Sequence, residues 1–220
     1  MVERIQGLIE LQRQLAGQVI AIDDLPDSIS TVAAVDAAFP RGRGVTRAAA
    51  VVMSFPGLTP LDQIVVEVPT SLPYIPGLLS FRELPGVVQA IERLKIRPDL
   101  VLCDGQGRAH PRRFGIACHL GVETGLATIG VAKSRLCGHA DEPGPEKGAH
   151  SLLKDGEDII GMVVRTRTNV RPLVVSSGHR ISLETAVDWV LACTPRYRLP
   201  EPIRLADRLA GQGGKDHSSM

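Results

Sequence analysis

Aromatic side chains are scarce, with four Phe, two Tyr and one Trp in 220 residues. Val, Ile, Leu and Ala must therefore fill most of any core. Cysteine is equally sparse: Cys103, Cys118, Cys137 and Cys193 are widely spaced and form no C-x-x-C pair. That pattern argues against a zinc knuckle or a redox dithiol and makes Cys103 and Cys193, in apolar surroundings, small buried residues. Net charge is also nearly lacking, at +1, so a polyanionic partner is not implied by charge alone. No secretory apolar stretch opens the chain and no apolar run reaches membrane-spanning length. The expectation is a protein of the reducing cytoplasm with no membrane partner. Two nucleotide-binding signatures are missing too. Gly42 and Gly44 lie in a turn between strands, Gly105 and Gly107 lack the rest of a G-x-G-x-x-G, and no Walker A sequence is present.

What remains is a chain with 44% hydrophobic residues, long enough to bury roughly 70% of its unfolded surface. Residues 1–210 read as one domain and 211–220 as a Gly/Ser-rich disordered tail. Apolar spacing predicts a helix over Val2–Gln18, with Ile5, Leu8, Ile9 and Leu15 on one face. Thr31–Phe39, Ala48–Ser54 and Asp62–Val68 read as an antiparallel meander of strands, the first two joined by the Arg41–Gly44 turn. After a Pro/Gly-rich loop, Leu84, Val87, Val88, Ile91 and Leu94 mark a second helix, with Ser80 and Glu83 forming an S-x-x-E capping box and Pro85 tolerated in the opening turns. Asp99–Cys103 is a strand buried on both faces, Phe114–Glu123 a helix and Ala127–Ala132 another strand. Cys137–Ser151 is a turn-rich excursion. Strands follow at Ile159–Arg165 and Leu173–Ser176, and Ser182 caps a last helix. Early hairpins followed by strand–helix alternation give an α/β core with a mixed sheet.

Three carboxylates stand out, each with two readings. Asp36 interrupts the apolar strand V-A-A-V-D-A-A-F, facing either solvent or a cleft. Asp104 ends D-L-V-L-C-D, as a turn former before Gly105 or as a strand-end ligand. Glu83 is either a helix cap or a third ligand. Should the three converge, their mutual repulsion calls for a cation, and Mg²⁺, which prefers oxygen donors and keeps its waters, suits phosphodiester hydrolysis.

Around them lie weaker candidates. His110, six residues beyond Asp104, is either a water-positioning group or a solvent-facing loop residue. Arg112 and Arg113 are candidate phosphate contacts in a segment, Leu100–Arg135, with five Lys/Arg against two Asp/Glu. Lys133 follows a strand and could neutralise developing charge, and His179 follows the last strand. Tyr74, in the rigid loop P-Y-I-P-G, is either a stacking and insertion element or packed on the sheet. His119, His139 and His150 have no comparable setting.

Taken together, five blocks are far more specific: A-V-D-A-A-F at 34–39, P-Y-I-P-G-L-L-S-F-R-E at 73–83, D-G-Q-G-R-A-H-P-R-R-F-G-I-A-C-H-L-G at 104–121, G-V-A-K-S-R-L at 130–136 and V-S-S-G-H-R-I-S-L-E at 175–184. In order and length they resemble the endonuclease V family, the deoxyinosine-specific DNA repair nucleases. The resemblance implies an RNase H-like fold, with a central mixed β-sheet flanked by helices, and Mg²⁺-assisted cleavage in which Mn²⁺ substitutes. It implies Asp36, Glu83 and Asp104 as metal ligands, with His110, Lys133 and His179 in supporting catalytic roles. Tyr74, Ile75 and Pro76 would form a strand-separating wedge. Gly77, Leu79, Gly105 and Gly121 would shape a lesion pocket into which the base is displaced. Cleavage is implied at the second phosphodiester 3′ to deoxyinosine in DNA, leaving 3′-hydroxyl and 5′-phosphate ends, with inosine-containing RNA as the alternative substrate. A monomer is expected because the sequence carries no coiled-coil or other assembly signature. Two departures, Ala where relatives often carry Gly and Ser in the first block and Leu173 before Val174-Val175 in the last, bear on substrate preference rather than on the carboxylates.

Overall fold

The computed structural model describes residues 2–212. In chain order the elements are α1 (Val2–Ala16), β1 (Thr31–Ala38), β2 (Val45–Ser54), β3 (Pro60–Pro69), α2 (Leu79–Glu92), β4 (Leu100–Asp104), α3 (Ile116–Thr124), β5 (Ala127–Ala132), β6 (His150–Asp155), β7 (Asp158–Val164), β8 (Leu173–His179), α4 (Leu183–Ala192) and α5 (Glu201–Gly211). The strands make one mixed sheet in the order β3-β2-β1-β4-β5-β8-β7-β6. β1, β2 and β3 are the expected antiparallel meander, β1, β4 and β5 run parallel, and β8, β7 and β6 return antiparallel. An antiparallel meander followed by a parallel extension, with helices on both faces, is the RNase H-like arrangement.

Position in the sheet follows composition. β4 and β5 are almost wholly apolar and buried, as strands covered on both faces must be, whereas edge strand β6 alternates exposed and covered residues. Alternation along β1 sends Val32 and Ala34 to one face and Ala33 and Val35 to the other. The first face packs against α4 and α5 through Val187, Val190, Ile203 and Ala206, the second against α2 and α3 through Val87, Ile91 and Leu120.

Three local expectations change. α2 begins at Leu79 behind Leu78, with no side-chain cap, so the S-x-x-E capping box does not form. Ser80 is buried inside the helix and its hydroxyl bonds His119 Nδ1 at 3.2 Å. Pro85 lies well inside the helix on an exposed position, where its missing N–H leaves the Phe81 carbonyl without its i+4 donor. α5 and β6 went unpredicted. Ser182 does cap α4, accepting from the Thr185 amide at 3.2 Å. Helix α5 reaches Gly211, and the rest of the expected tail, 213–220, lies outside the described residues. No helix among the described residues is long and apolar enough to cross a membrane.

Candidate active site

Sheet register builds the site. β1 and β4 are parallel neighbours with Val35 beside Cys103, so Asp36 and Asp104 stand side by side at the carboxyl ends of adjacent strands. Alternation places both on the face of Val32, Ala34, Leu100 and Leu102, the face that α5 covers. Asp207, next to the buried Ala206 of α5, completes a trio with Asp36 and Asp104 whose oxygens all lie within 4.8 Å of one another. Asp207 was not foreseen. Its signal was the stripe Ile203, Ala206 and Ala210 behind Pro202, a helix N-terminus followed by i+3 and i+7 spacing.

Glu83 reaches the same rim from α2, on the opposite face of the sheet. It is outside the trio, yet near enough that the charges of Asp36 and Asp104 act on it. Burial, reinforced by these two carboxylates, pushes Glu83 up to about 8. Asp36 rises to about 7 through burial and then through Asp104, with Asp207 adding to it. Asp104 is raised by burial, opposed by Lys133. Lys133 extends the Ile129–Val131 side of β5 and sets Nζ 2.7 Å from Asp104 Oδ2 and 2.8 Å from Asp207 Oδ1. Those pairs hold the ammonium above its ordinary range despite burial. Arg82 stacks over Phe39 at 3.8 Å, and its positive charge acts on Glu83. One ammonium among four carboxylates leaves an excess of hard, negative oxygen donors, which is the donor set a divalent cation of the Mg²⁺ kind requires.

Beside the acids opens a cavity of about 200 Å³, lined by Tyr74, Gly77, Leu79, Gly105, His110 and Ser134 together with Glu83 and Asp104. Tyr74 is 65% exposed, so the packed alternative for this ring falls away. Ile75 and Pro76 belong to its loop without lining the cavity. Gly105, at φ +157, would drive a Cβ to 2.7 Å from Ile116 Cγ2, so glycine is required where the strand turns away beneath the cavity. His110 is buried rather than solvent-facing. Its Nδ1 accepts from the Arg112 amide at 3.1 Å, which puts the proton on Nε2 for donation to the Gly77 carbonyl at 3.1 Å. Burial, with Arg112 adding, lowers it to about 4 and keeps it neutral.

Other expected residues are placed elsewhere. Arg112 turns inward to Gln12 and the Gly77 carbonyl, and Arg113 pairs with Asp155 at 2.8 Å and Asp158 at 2.9 Å, so both guanidiniums have partners within the protein. His179 is paired with Thr128, three residues back along β5 from Val131, the neighbour of Asp104; its Nδ1 accepts the Ile20 amide at 3.3 Å. Gly121 meets His179, not the cavity: a Cβ there would lie 2.2 Å from His179 Cβ, so glycine lets α3 close on β8.

An RNase H-like sheet with carboxylates gathered at the ends of β1 and β4 defines a nuclease-type acidic centre. Comparison with known proteins narrows this class: the chain belongs to the endonuclease V family, whose model, Endonuclease V, matches residues 13–208. The Endonuclease V of Alkalilimnicola ehrlichii is 63% identical over 179 residues, covering 81% of this chain and 79% of that protein. The crystal structure of the Streptomyces avermitilis Endonuclease V superposes with a TM-score of 0.89 at 43% identity, covering 94% and 92% of the two chains. That of Ciona intestinalis Endonuclease V, in complex with a 24mer DNA containing an inosine followed by a ribo-adenosine, gives 0.85 at 30% identity over 97% and 98%. The chain is therefore a nuclease of this family.

Proposed function

We propose that the chain is a DNA repair endonuclease that recognises deoxyinosine and hydrolyses the second phosphodiester 3′ to it, leaving 3′-hydroxyl and 5′-phosphate ends, as a monomer in the cytoplasm. The observation that carries this reading is the convergence of Asp36, Glu83, Asp104 and Asp207 at the mouth of a cavity walled by glycines and flanked by an exposed tyrosine. The Ciona relative's complex with inosine-containing DNA supports the substrate.

Asp36, Asp104 and Asp207 would hold Mg²⁺, or Mn²⁺ in its place, with Glu83 as a further ligand. When bound, the cation activates water and offsets charge at phosphorus. Lys133 keeps Asp104 and Asp207 aligned and faces the incoming phosphate with a positive charge. Tyr74 and its loop, Ile75 and Pro76, hold the strands apart while the displaced base enters between Gly77, Leu79 and Gly105. His110, neutral and bonded to Gly77, secures that wall. Arg135, exposed at the rim and without an ion pair among the described residues, contacts the backbone.

A second reading, cleavage of inosine-containing RNA, is favoured by the ribo-adenosine that follows the inosine in the DNA of the Ciona complex. Matched DNA and RNA strands bearing one inosine, incubated with Mg²⁺ and with a chelator, decide between them. The proposal predicts a Mg²⁺-dependent nick in DNA at the higher rate. Preference for RNA would overturn the DNA assignment, and lesion-selective binding without any nick would make the chain a damage-binding module.

A further inference from the structure

Gln12 is the one residue of α1 that is fully buried, and it is polar. It continues the helix face of Ile5, Leu8, Ile9 and Leu15, all of them only partly covered. An unpartnered amide in that place would destabilise the fold, but this one is fully engaged. Its Nε2 donates to the Phe114 carbonyl at 2.7 Å and to the Gly77 carbonyl at 3.2 Å, while Oε1 accepts from Arg112 Nε. Arg112 Nη2 and His110 Nε2 donate to the same Gly77 carbonyl, at 2.6 and 3.1 Å. One carbonyl, at the end of the Tyr74–Gly77 loop, thus takes three donors from segments far apart in sequence. Gly77 itself sits at φ +77, and a Cβ there would come 2.6 Å from Arg112 Nη2, so the latch is fitted around a glycine. Outside it, Tyr74 projects into solvent.

A ring that separates two strands is useful only when the base of its loop does not yield. We propose that Gln12 is a positioning residue for the wedge: through Arg112 and the Gly77 carbonyl it ties the Tyr74 loop to α1 and the protein body, so that duplex DNA can be opened at the lesion. This inference rests on reading the site as a deoxyinosine endonuclease. Gln12 has no hydrogen bond to any of the four carboxylates, so its effect falls on engaging duplex rather than on hydrolysis.

Two variants test it. Gln12→Met fills the space without any of the three bonds, and Gln12→Glu keeps the shape and the acceptor for Arg112 but loses the donors. Both are compared with the unaltered chain on duplex and on single-stranded DNA carrying one deoxyinosine, with Mg²⁺, after thermal melting confirms folding. For Gln12→Met the duplex KM rises about tenfold, equivalent to about 1.4 kcal/mol, while kcat stays within about twofold and the single-strand KM, which feels only the Gly77 wall of the base pocket, rises clearly less. Gln12→Glu falls between, and carries the test alone should the Met variant not fold. Equal losses on both substrates, a fall in kcat at constant KM, or no change would each overturn the latch. An unaltered chain that cuts neither substrate would instead sink the underlying functional reading, and the latch with it.

Discussion

Asp207 carries the sharpest consequence at the scale of single residues. Asp36 and Asp104 lie on adjacent strands, and among the described residues Asp207, from a helix on the covering face, closes the trio. Asp207→Asn preserves shape and the helix while removing one charge from the donor set. We expect cleavage to fall by at least about 100-fold, the scale on which losing a group that stabilises transition-state charge is felt, with thermal stability in chelator unchanged or raised because like-charge repulsion is relieved. Retained activity would remove Asp207 from the centre. Asp36 and Asp104 are visible in the sequence because the first interrupts an apolar run and the second ends one. It hid Asp207, which lies more than a hundred residues beyond Asp104 on an amphipathic helix where an acid looks like an ordinary solvated residue. Glu83 was legible only as a candidate. Its competing role, a cap shared with Ser80, fails in the structure because Ser80 faces His119 inside the body.

Among the elements, the pairing of α2 with α3 depends on a buried histidine that local sequence gave no reason to notice. His119 sits between Phe81 and Phe114, with ring centroids 4.7 and 5.0 Å away, and burial lowers it to about 4. The folded value is below the unfolded one near 6.5, so the folded state binds fewer protons between those values. Stability from this neutral ring is complete above pH 6.5 and is lost as pH falls toward 4. At pH 5 the loss relative to pH 7 is about 2 kcal/mol from this group alone. His119→Phe should reduce the acid-side slope of a denaturant-midpoint profile, leaving the comparable contribution of His110, which burial also lowers to about 4. An unchanged slope would show that burial does not shift His119. Periodicity located most elements because central strands must be apolar on both faces. Edge strand β6, half exposed and opening inside a turn-rich excursion, and α5, separated from α4 by Pro195 and Pro200, lacked so plain a pattern.

For the whole molecule, near-neutral charge and the placement of arginines set how DNA is held. Arg113 serves the β6–β7 hairpin and Arg112 the Tyr74 loop, whereas Arg135, at the cavity rim, has no ion pair among the described residues. Arg135→Ala should therefore reduce the slope of log affinity against log salt by about one, since one phosphate contact and its counterion are lost. Arg113→Ala should leave that slope alone while loosening the hairpin. The reverse outcome would restore the role that the P-R-R sequence first suggested for Arg113. No charge count could have separated these arginines, because whether a guanidinium meets an acid across 42 or 45 residues is decided by the sheet.

The central claim is a cation-dependent cut displaced from the damaged base, and mapping the product tests it most directly. A duplex with one deoxyinosine, labelled in turn at each end of each strand, is incubated with Mg²⁺ and with chelator, and the termini are identified. The account predicts a single nick in the deoxyinosine strand, at the second phosphodiester 3′ to the lesion, with 3′-hydroxyl and 5′-phosphate ends and the base still attached, only in the presence of the ion. An abasic product, or the same nick in chelator, would contradict it.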